Sequence, residues 1–334
     1  VEQIPSMRGG ESRTFRLLQY QVLNIETNRP GADLTGTRVV ATQPVAVFGG
    51  SEAANAPNDD SCVYRPSFDD WVCEATRLDE NPTPCTNASG EPDITRCSDF
   101  VTCCADHIEH QMLPPFAWGR RFNATRSVPR GDEADMWRVL ADQDDTNVRL
   151  VGLPDDPWPL PGLMPSPARR EFTLDRGQWI EFPSPVDFEV VADKRVMVGQ
   201  FLSAEFAPYP ESVGATKPPH NNAGTGDPAF TLVAPIEQYR REYTFLCPAA
   251  FEFDYVTITA PVGTEVRLDG ELLPAEAFET FGTGAYAVAR QRLADGAHRI
   301  EANQPVGIMV HGYDSFVSYS FIGGLDLTDL SGGR

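Results

Sequence analysis

The strongest constraint on how this 334-residue chain folds is a pattern that occurs in it three times. Thr37-Arg38-Val39-Val40-Ala41-Thr42-Gln43-Pro44-Val45-Ala46-Val47 is matched by Phe188-Glu189-Val190-Val191-Ala192-Asp193-Lys194-Arg195-Val196-Met197-Val198 and by His298-Arg299-Ile300-Glu301-Ala302-Asn303-Gln304-Pro305-Val306-Gly307-Ile308. Each copy is a β-branched run, an Ala, a polar stretch carrying Pro in two of the three copies, and a second apolar run. β-Branched residues suit a pleated surface, and Pro suits a turn that needs no N–H donor. Each copy therefore reads as strand, turn, strand.

The likeness extends upstream in the second and third copies. Thr146-Asn147-Val148-Arg149-Leu150 matches Thr264-Glu265-Val266-Arg267-Leu268, Trp137-Arg138-Val139-Leu140 parallels Tyr255-Val256-Thr257-Ile258, and Ile108-Glu109-His110-Gln111 parallels Ile236-Glu237-Gln238. The first copy keeps only its last strands, beginning near Phe15 to Ile25. The expected fold class is all-β: tandem β-sandwich-like modules, one partial and two complete, with a disulfide-rich insertion. The divisions are a partial module at 1–53, a Cys-rich insertion at 54–106, a second module at 107–206, a Pro/Gly/Asn-rich loop at 207–229 and a third module at 230–330. Helical signals are confined to a turn or two at Asp106–Met112 and Pro274–Phe278. Pro154–Pro167 holds six prolines in fourteen residues and reads as a loop with polyproline character.

Six of the seven cysteines, Cys62, Cys73, Cys85, Cys97, Cys103 and Cys104, fall within the insertion. Structural zinc sites draw paired ligands from spacings of about two to four residues, and no such pair occurs here. Disulfides fit better and imply an oxidising compartment, with about 15 possible pairings among six thiols. Adjacent Cys103 and Cys104 face opposite sides if extended, so each is expected to bond to a different partner. Cys247 is either a small buried hydrophobe in a strand or a thiol reaching back to the cluster.

With 48 acidic and 27 basic residues the net charge is −21, which disfavours nucleic acid and anionic membranes as partners. No apolar run approaches the ~18–20 residues of a membrane-spanning helix. Two sequons, Asn87-Ala88-Ser89 and Asn123-Ala124-Thr125, are expected on exposed loops.

Catalytic motifs are absent from the sequence. Gly49-Gly50-Ser51-Glu52 lacks the second Gly of a nucleophile elbow, and there is no phosphate-cradling loop. On a helix, His107 and His110 stand one turn apart and can share a metal with Asp106 or Glu109; the alternative is local hydrogen bonding. Asp144, within Asp142-Gln143-Asp144-Asp145-Thr146-Asn147, is a candidate Ca²⁺ ligand, as is Asn58-Asp59-Asp60, with plain surface solvation as the alternative. Gly226-Asp227-Pro228 is similar to a mucin-type cleavage site, but Ala229 stands where His is required.

Gly36-Thr37-Arg38-Val39, then Gln43 through Asn55, then Cys104-Ala105-Asp106-His107-Ile108-Glu109-His110-Gln111 with Pro114-Pro115 and Trp118-Gly119, resemble the N-terminal domain of the IgG Fc-binding protein family. Leu268-Asp269-Gly270, Gly296-Ala297-His298, Gly312-Tyr313-Asp314, Ser318-Tyr319 and Gly323-Gly324-Leu325 fit the same family, which also occurs in bacterial surface and secreted proteins. Ala53 stands where animal members carry Cys; Cys104 keeps its place, which implies a Cys104 partner within the insertion. Immunoglobulin binding does not transfer with the resemblance. The expected function is an extracellular or cell-surface, non-catalytic adhesion or structural protein, with no cofactor beyond the Ca²⁺ considered above. Its partners are expected to be an extracellular protein, a glycan or copies of itself; the incomplete first module is expected to be completed either by residues upstream of Val1 or by a neighbouring chain. A receptor or glycan-binding module, drawing on Trp118, Trp158 and Tyr209, is the alternative, and an enzyme with an unrecognised site the remote one.

Overall fold

The computed structural model describes residues 6–27, 33–56, 62–65, 70–73, 84–90, 105–130, 133–153, 170–204 and 225–330, with 62–65 and 70–73 as backbone. Alternation of apolar and polar residues becomes strand almost wherever a neighbour is available to pair. The first part of the chain supplies β1 (Phe48–Ala54), β2 (Cys62–Arg65), β3 (Asp70–Cys73) and β4 (Asp106–Gln111). β1 pairs antiparallel with β4, Ser51 opposite Ile108. β2 pairs with β3, the Cα of Cys62 opposite that of Cys73.

Seven strands make the next sheet: β5 (Gly119–Ala124), β6 (Asp135–Ala141), β7 (Thr146–Val151), β8 (Glu171–Leu174), β9 (Trp179–Ser184), β10 (Phe188–Leu202) and β11 (Ala229–Leu232). Eight make the last: β12 (Arg240–Cys247), β13 (Phe253–Pro261), β14 (Val266–Leu268), β15 (Glu271–Leu272), β16 (Glu279–Phe281), β17 (Tyr286–Leu293), β18 (Gly296–Asp314) and β19 (Val317–Ile322). The fold is all-β, built of tandem sandwich-like modules.

The second and third copies of the repeated pattern lie inside β10 and β18, and here the expected turn is corrected. Each copy is part of one continuous strand that bends from one layer into the other. In β10, residues 188–192 pair with β5 and β7, while 196–202 pair with β6 and β11. In β18 the first part pairs with β12 and β14 and the later part with β13 and β19. The polar stretches 193–195 and 303–305 fall where the ladder register breaks, against β5 and β12 respectively. A bulge leaves a residue out of the ladder, so Pro305 fits there without losing a hydrogen bond. Strands that switch layers through such bends are how two packed sheets share a corner.

The two larger sheets thus follow one topology, with β5, β6, β7, β8, β9, β10 and β11 answering to β12, β13, β14, β15, β17, β18 and β19. Their cores match this. Phe122, Trp137, Phe182, Phe188 and Val190 are buried together in the first, Trp137 edge-on to Phe188 at 5.2 Å. Tyr243, Val256, Ile258, Ile300 and Val310 fill the second, with Cys247 among them as a buried free thiol. The β14–β15 hairpin turns at Asp269-Gly270, both with positive φ (53° and 87°), as a twist-matched two-residue turn requires.

The first copy behaves differently. Thr37–Val47 lies in no strand, and neither does Phe15–Ile25. Val39 and Val45 are 55% and 53% exposed, whereas Val190 and Ile300, and Val196 and Val306, their counterparts in the later copies, are fully buried. The sequence carries the same strand pattern, but among the described residues no neighbouring strand receives it. Its continuation, β1, does find β4.

Pairing also reveals what the irregular stretches are. Residues 55–105 separate β1 from β4, residues 203–228 separate β10 from β11, and Ser315 and Phe316 separate β18 from β19. β4, β11 and β19 are equivalent strands, so the Cys-rich insertion and the Pro/Gly/Asn-rich loop are the same hairpin loop at two places in the repeat. Strand pairing groups β4 with β1 and β11 with β10.

Candidate functional site

The predicted metal pair is not brought together. Residues 106–111 form a strand, not the expected helical turn, because they complete a ladder with β1. His107 and His110, three apart, therefore point to opposite faces. His107 is exposed beside Glu109 Oε2 at 3.3 Å. The Nδ1 of His110 lies 2.7 Å from the Gln111 carbonyl, and its ring meets Phe230 edge-on at 6.0 Å. Among the described residues no three His, Cys, Asp or Glu side chains converge as a metal would require.

At the acidic loop, Lys194 Nζ donates to the carbonyls of Asp144 and Asp145 at 2.6 and 2.9 Å, so an ammonium sits on the oxygens that Ca²⁺ would need. Asp144 Oδ1 accepts from the Arg176 N–H, and Asp142 is paired with Arg195 at 2.7 Å. Asn58-Asp59-Asp60, Trp158 and Tyr209 lie outside the described residues. Trp118 is half-buried, its Nε1 donating to the Leu113 carbonyl at 2.8 Å.

Of the cluster cysteines, Cys85 is buried and disulfide-bonded. The side chains of Cys62, Cys73, Cys97, Cys103 and Cys104 lie outside the described residues. The expectation that both sequons sit on exposed loops is corrected for Asn123. It is buried in β5, its Nδ2 donating to the Tyr239 hydroxyl at 3.2 Å, because the strand that carries it is covered by the start of the third module.

The structure assembles instead a polar junction between the two large sheets, which sequence reading did not anticipate. Residues 125–130, leading from β5 toward β6, cross onto β18. The Val128 N–H donates to His311 Nε2, and the Tyr313 hydroxyl donates to the Val128 carbonyl, each at 3.0 Å. Asp135, fully buried, accepts from the N–H and hydroxyl of Ser127 and from Gln200 Nε2. Burial holds its carboxyl above the usual range against the opposing pull of Arg126 and these donors. Arg130 donates to the Thr225 and Ser203 carbonyls and lies over the Tyr313 ring at 4.9 Å. Glu189 of β10 accepts from the Thr283 N–H and hydroxyl, and Arg290 donates to Asp187. A cavity of about 30 Å³ lies beneath, lined by Asn123, Thr125, Gln200, Tyr239 and Thr259 among others. It is large enough for a water or two, not for an organic substrate.

The same region ties the hairpin ends together. The Ala204 N–H donates to the Ala56 carbonyl at 2.7 Å, the Gly226 N–H to the Asp314 carbonyl at 2.6 Å, and the Asp227 N–H to Ser318 Oγ at 2.8 Å. The loops of all three copies thus issue from one end of the molecule.

One pairing has the look of a catalytic dyad and lacks its chemistry. His298 Nδ1 meets Asp269 Oδ2 and its Nε2 meets the Ala294 carbonyl, both at 2.7 Å. With acceptors at both nitrogens the ring is held as a double donor, and neither nitrogen is left to act as a base. Burial works to lower this imidazole, but the bonds to Asp269 and Ala294 outweigh it and the net shift is upward.

These features define the class: an all-β protein of tandem sandwich-like modules, joined by a hydrogen-bonded junction and offering, among the described residues, surfaces and loop ends. The IgGFc binding protein family matches residues 2–74 and 82–312, nearly the whole chain, and the chain belongs to that family. No curated protein matches it. Among solved structures, an anti-sigma factor domain-containing protein from Clostridium clariflavum is similar at 11% identity, over 61% of this chain and 82% of that one, with a TM-score of 0.18. A second anti-sigma factor domain-containing protein is similar at 11% identity, over 61% and 80%, with a TM-score of 0.16. Likeness at this level carries no argument about function.

Proposed function

We propose that this protein is an extracellular, non-catalytic structural or adhesive protein that associates with further copies of itself through the exposed first copy of its repeated pattern. Family membership supports an extracellular protein that works by binding. The observation that carries the finer reading is the first copy of the repeat. Its apolar run is the spine of the core in the other two copies, yet here it stands exposed beside Phe15, Leu17, Leu18, Tyr20 and Val22, which are 36–93% exposed. A strand with unpaired N–H and C=O groups and an apolar face is a template for another strand. The later modules have their own full sets of strands, and the equally exposed segment of a second copy is a partner that fits it without unfolding anything. Disulfides among the cluster cysteines would fit that setting, stapling the insertion rather than the cores.

Sedimentation over a range of concentrations tests this. The wild type is expected to self-associate at neutral pH, and Val39→Lys with Val45→Lys to remain monomeric with an unchanged far-ultraviolet spectrum. A wild type that stays monomeric at every concentration while binding a glycan array would support the receptor reading instead.

A further inference from the structure

We propose that His311 is an acid-operated latch between the two large sheets, holding residues 125–130 on β18 while neutral and releasing them when protonated. This does not rest on the self-association proposed above.

His311 is fully buried on β18, stacked on Tyr255 (5.6 Å between centroids, 23°) and edge-on to Tyr313 at 5.6 Å. Its Nε2 accepts from the Val128 N–H. A neutral imidazole has one donor and one acceptor, so the proton sits on Nδ1, which has no hydrogen-bond partner among the described residues. Together with the Tyr313 hydroxyl on the Val128 carbonyl, this single contact pair holds both backbone groups of Val128 from across the junction.

Protonation turns Nε2 into a donor facing another donor. It also adds a third positive charge beside Arg130, from the crossing segment, and Arg290, from β17, both of which already act on this ring. The nearby carboxylates do not compensate, since each is engaged elsewhere. Asp135 holds Ser127 and Gln200, Glu133 holds the Arg130 N–H, and Asp187 holds the Arg126 N–H and Arg290. The Tyr255 face offers a cation–π contact, but that is worth less than the penalty for an unpaired buried charge. Burial, with the Arg290 and Arg130 charges, lowers the closed-state imidazole to about 3 from the ordinary 6.5. A depressed histidine favours the closed form above its ordinary value and progressively loses that preference as pH falls below it. Release would be felt at the loop end, because Arg130 ties the same segment to Ser203 and Thr225.

Residue-resolved hydrogen exchange of the intact chain, corrected for intrinsic rates, at about pH 7 and about pH 4.5 tests the latch. The expected result is a loss of protection at Val128 of roughly tenfold or more while the amides of β6 and β13 keep theirs. In His311→Gln, whose side-chain oxygen accepts the same N–H and does not titrate, the loss should vanish. Should that variant not fold, the ring nitrogen shifts of the wild type serve, with titration of Nε2 expected to coincide with the loss at Val128. The proposal is overturned if Val128 stays protected while His311 titrates, if the core strands lose protection together with Val128, or if His311→Gln shows the same loss.

Discussion

Two histidines thirteen positions apart in one strand, His298 and His311, show how residue identity says little until partners are known. His298 has acceptors at both nitrogens and a raised value; His311 has a donor at one nitrogen, nothing at the other, and a lowered one. The signs of their pH effects are opposite. The stabilisation from His298 is fully present below its unfolded value of 6.5 and is lost as pH rises through the higher folded one. Denaturant midpoints from about pH 6 to about pH 8.5 should therefore fall in the wild type and be flatter in His298→Gln; equal slopes would contradict the double-donor assignment. Packing gives a second prediction at this scale. A Cβ at Gly307 would lie 2.4 Å from the Tyr239 ring, which is itself held by Asn123. Gly307→Ala should cost about 1–3 kcal/mol in urea unfolding, an overpacking penalty. Neither effect was legible in the sequence. Charged and polar residues in the 125–135 stretch read as solvated by default, and only a partner strand more than a hundred positions away makes them interior.

At the scale of elements, periodicity marks the kind of element more clearly than its bends and partners. The pattern discloses strands in its second and third copies and not in its first, and Cys247 packs in a strand among apolar neighbours. It could not tell a turn from a bend, because Gln-Pro suits both and the choice is made by which neighbours pair on either side of the register break. Nor could it tell that Asp106–Gln111 is a strand, since the two histidines have helical spacing and the ladder partner, β1, lies across an insertion of some fifty residues. The three copies make a direct comparison possible. Val190→Ala should destabilise by about 1.5–3 kcal/mol, whereas Val39→Ala, in the same place in the pattern but exposed, should lie within about 0.5 kcal/mol of the monomeric wild type. Thermal unfolding at low protein concentration reads both, and a comparable cost at Val39 would mean that the first copy is packed within its own chain. Reduction should likewise act on one element. Cys85 is disulfide-bonded and Cys247 is free, so reductant should loosen the insertion and leave the cores of the two large sheets folded, as proteolysis followed by mass mapping would show.

For the whole molecule, two copies of one topology are fastened together by a junction of buried charges and side-chain-to-backbone bonds, and among the described residues a third copy is represented by β1 and β4. Repetition makes that third copy interpretable: the partners it lacks among the described residues are the kinds of strand that flank β10 and β18. The insertion and the Pro/Gly/Asn-rich loop, unrelated in composition, occupy the same hairpin and emerge at the same end, which no reading of composition could reveal. The most direct test of the central claim is hydrogen exchange at residues 37–47 as a function of protein concentration. Protection that is absent in dilute solution and rises with concentration, in step with sedimentation, is the result expected if a second copy supplies the missing strand. Exchange that stays fast at every concentration, or protection already complete in the isolated monomer, would contradict it.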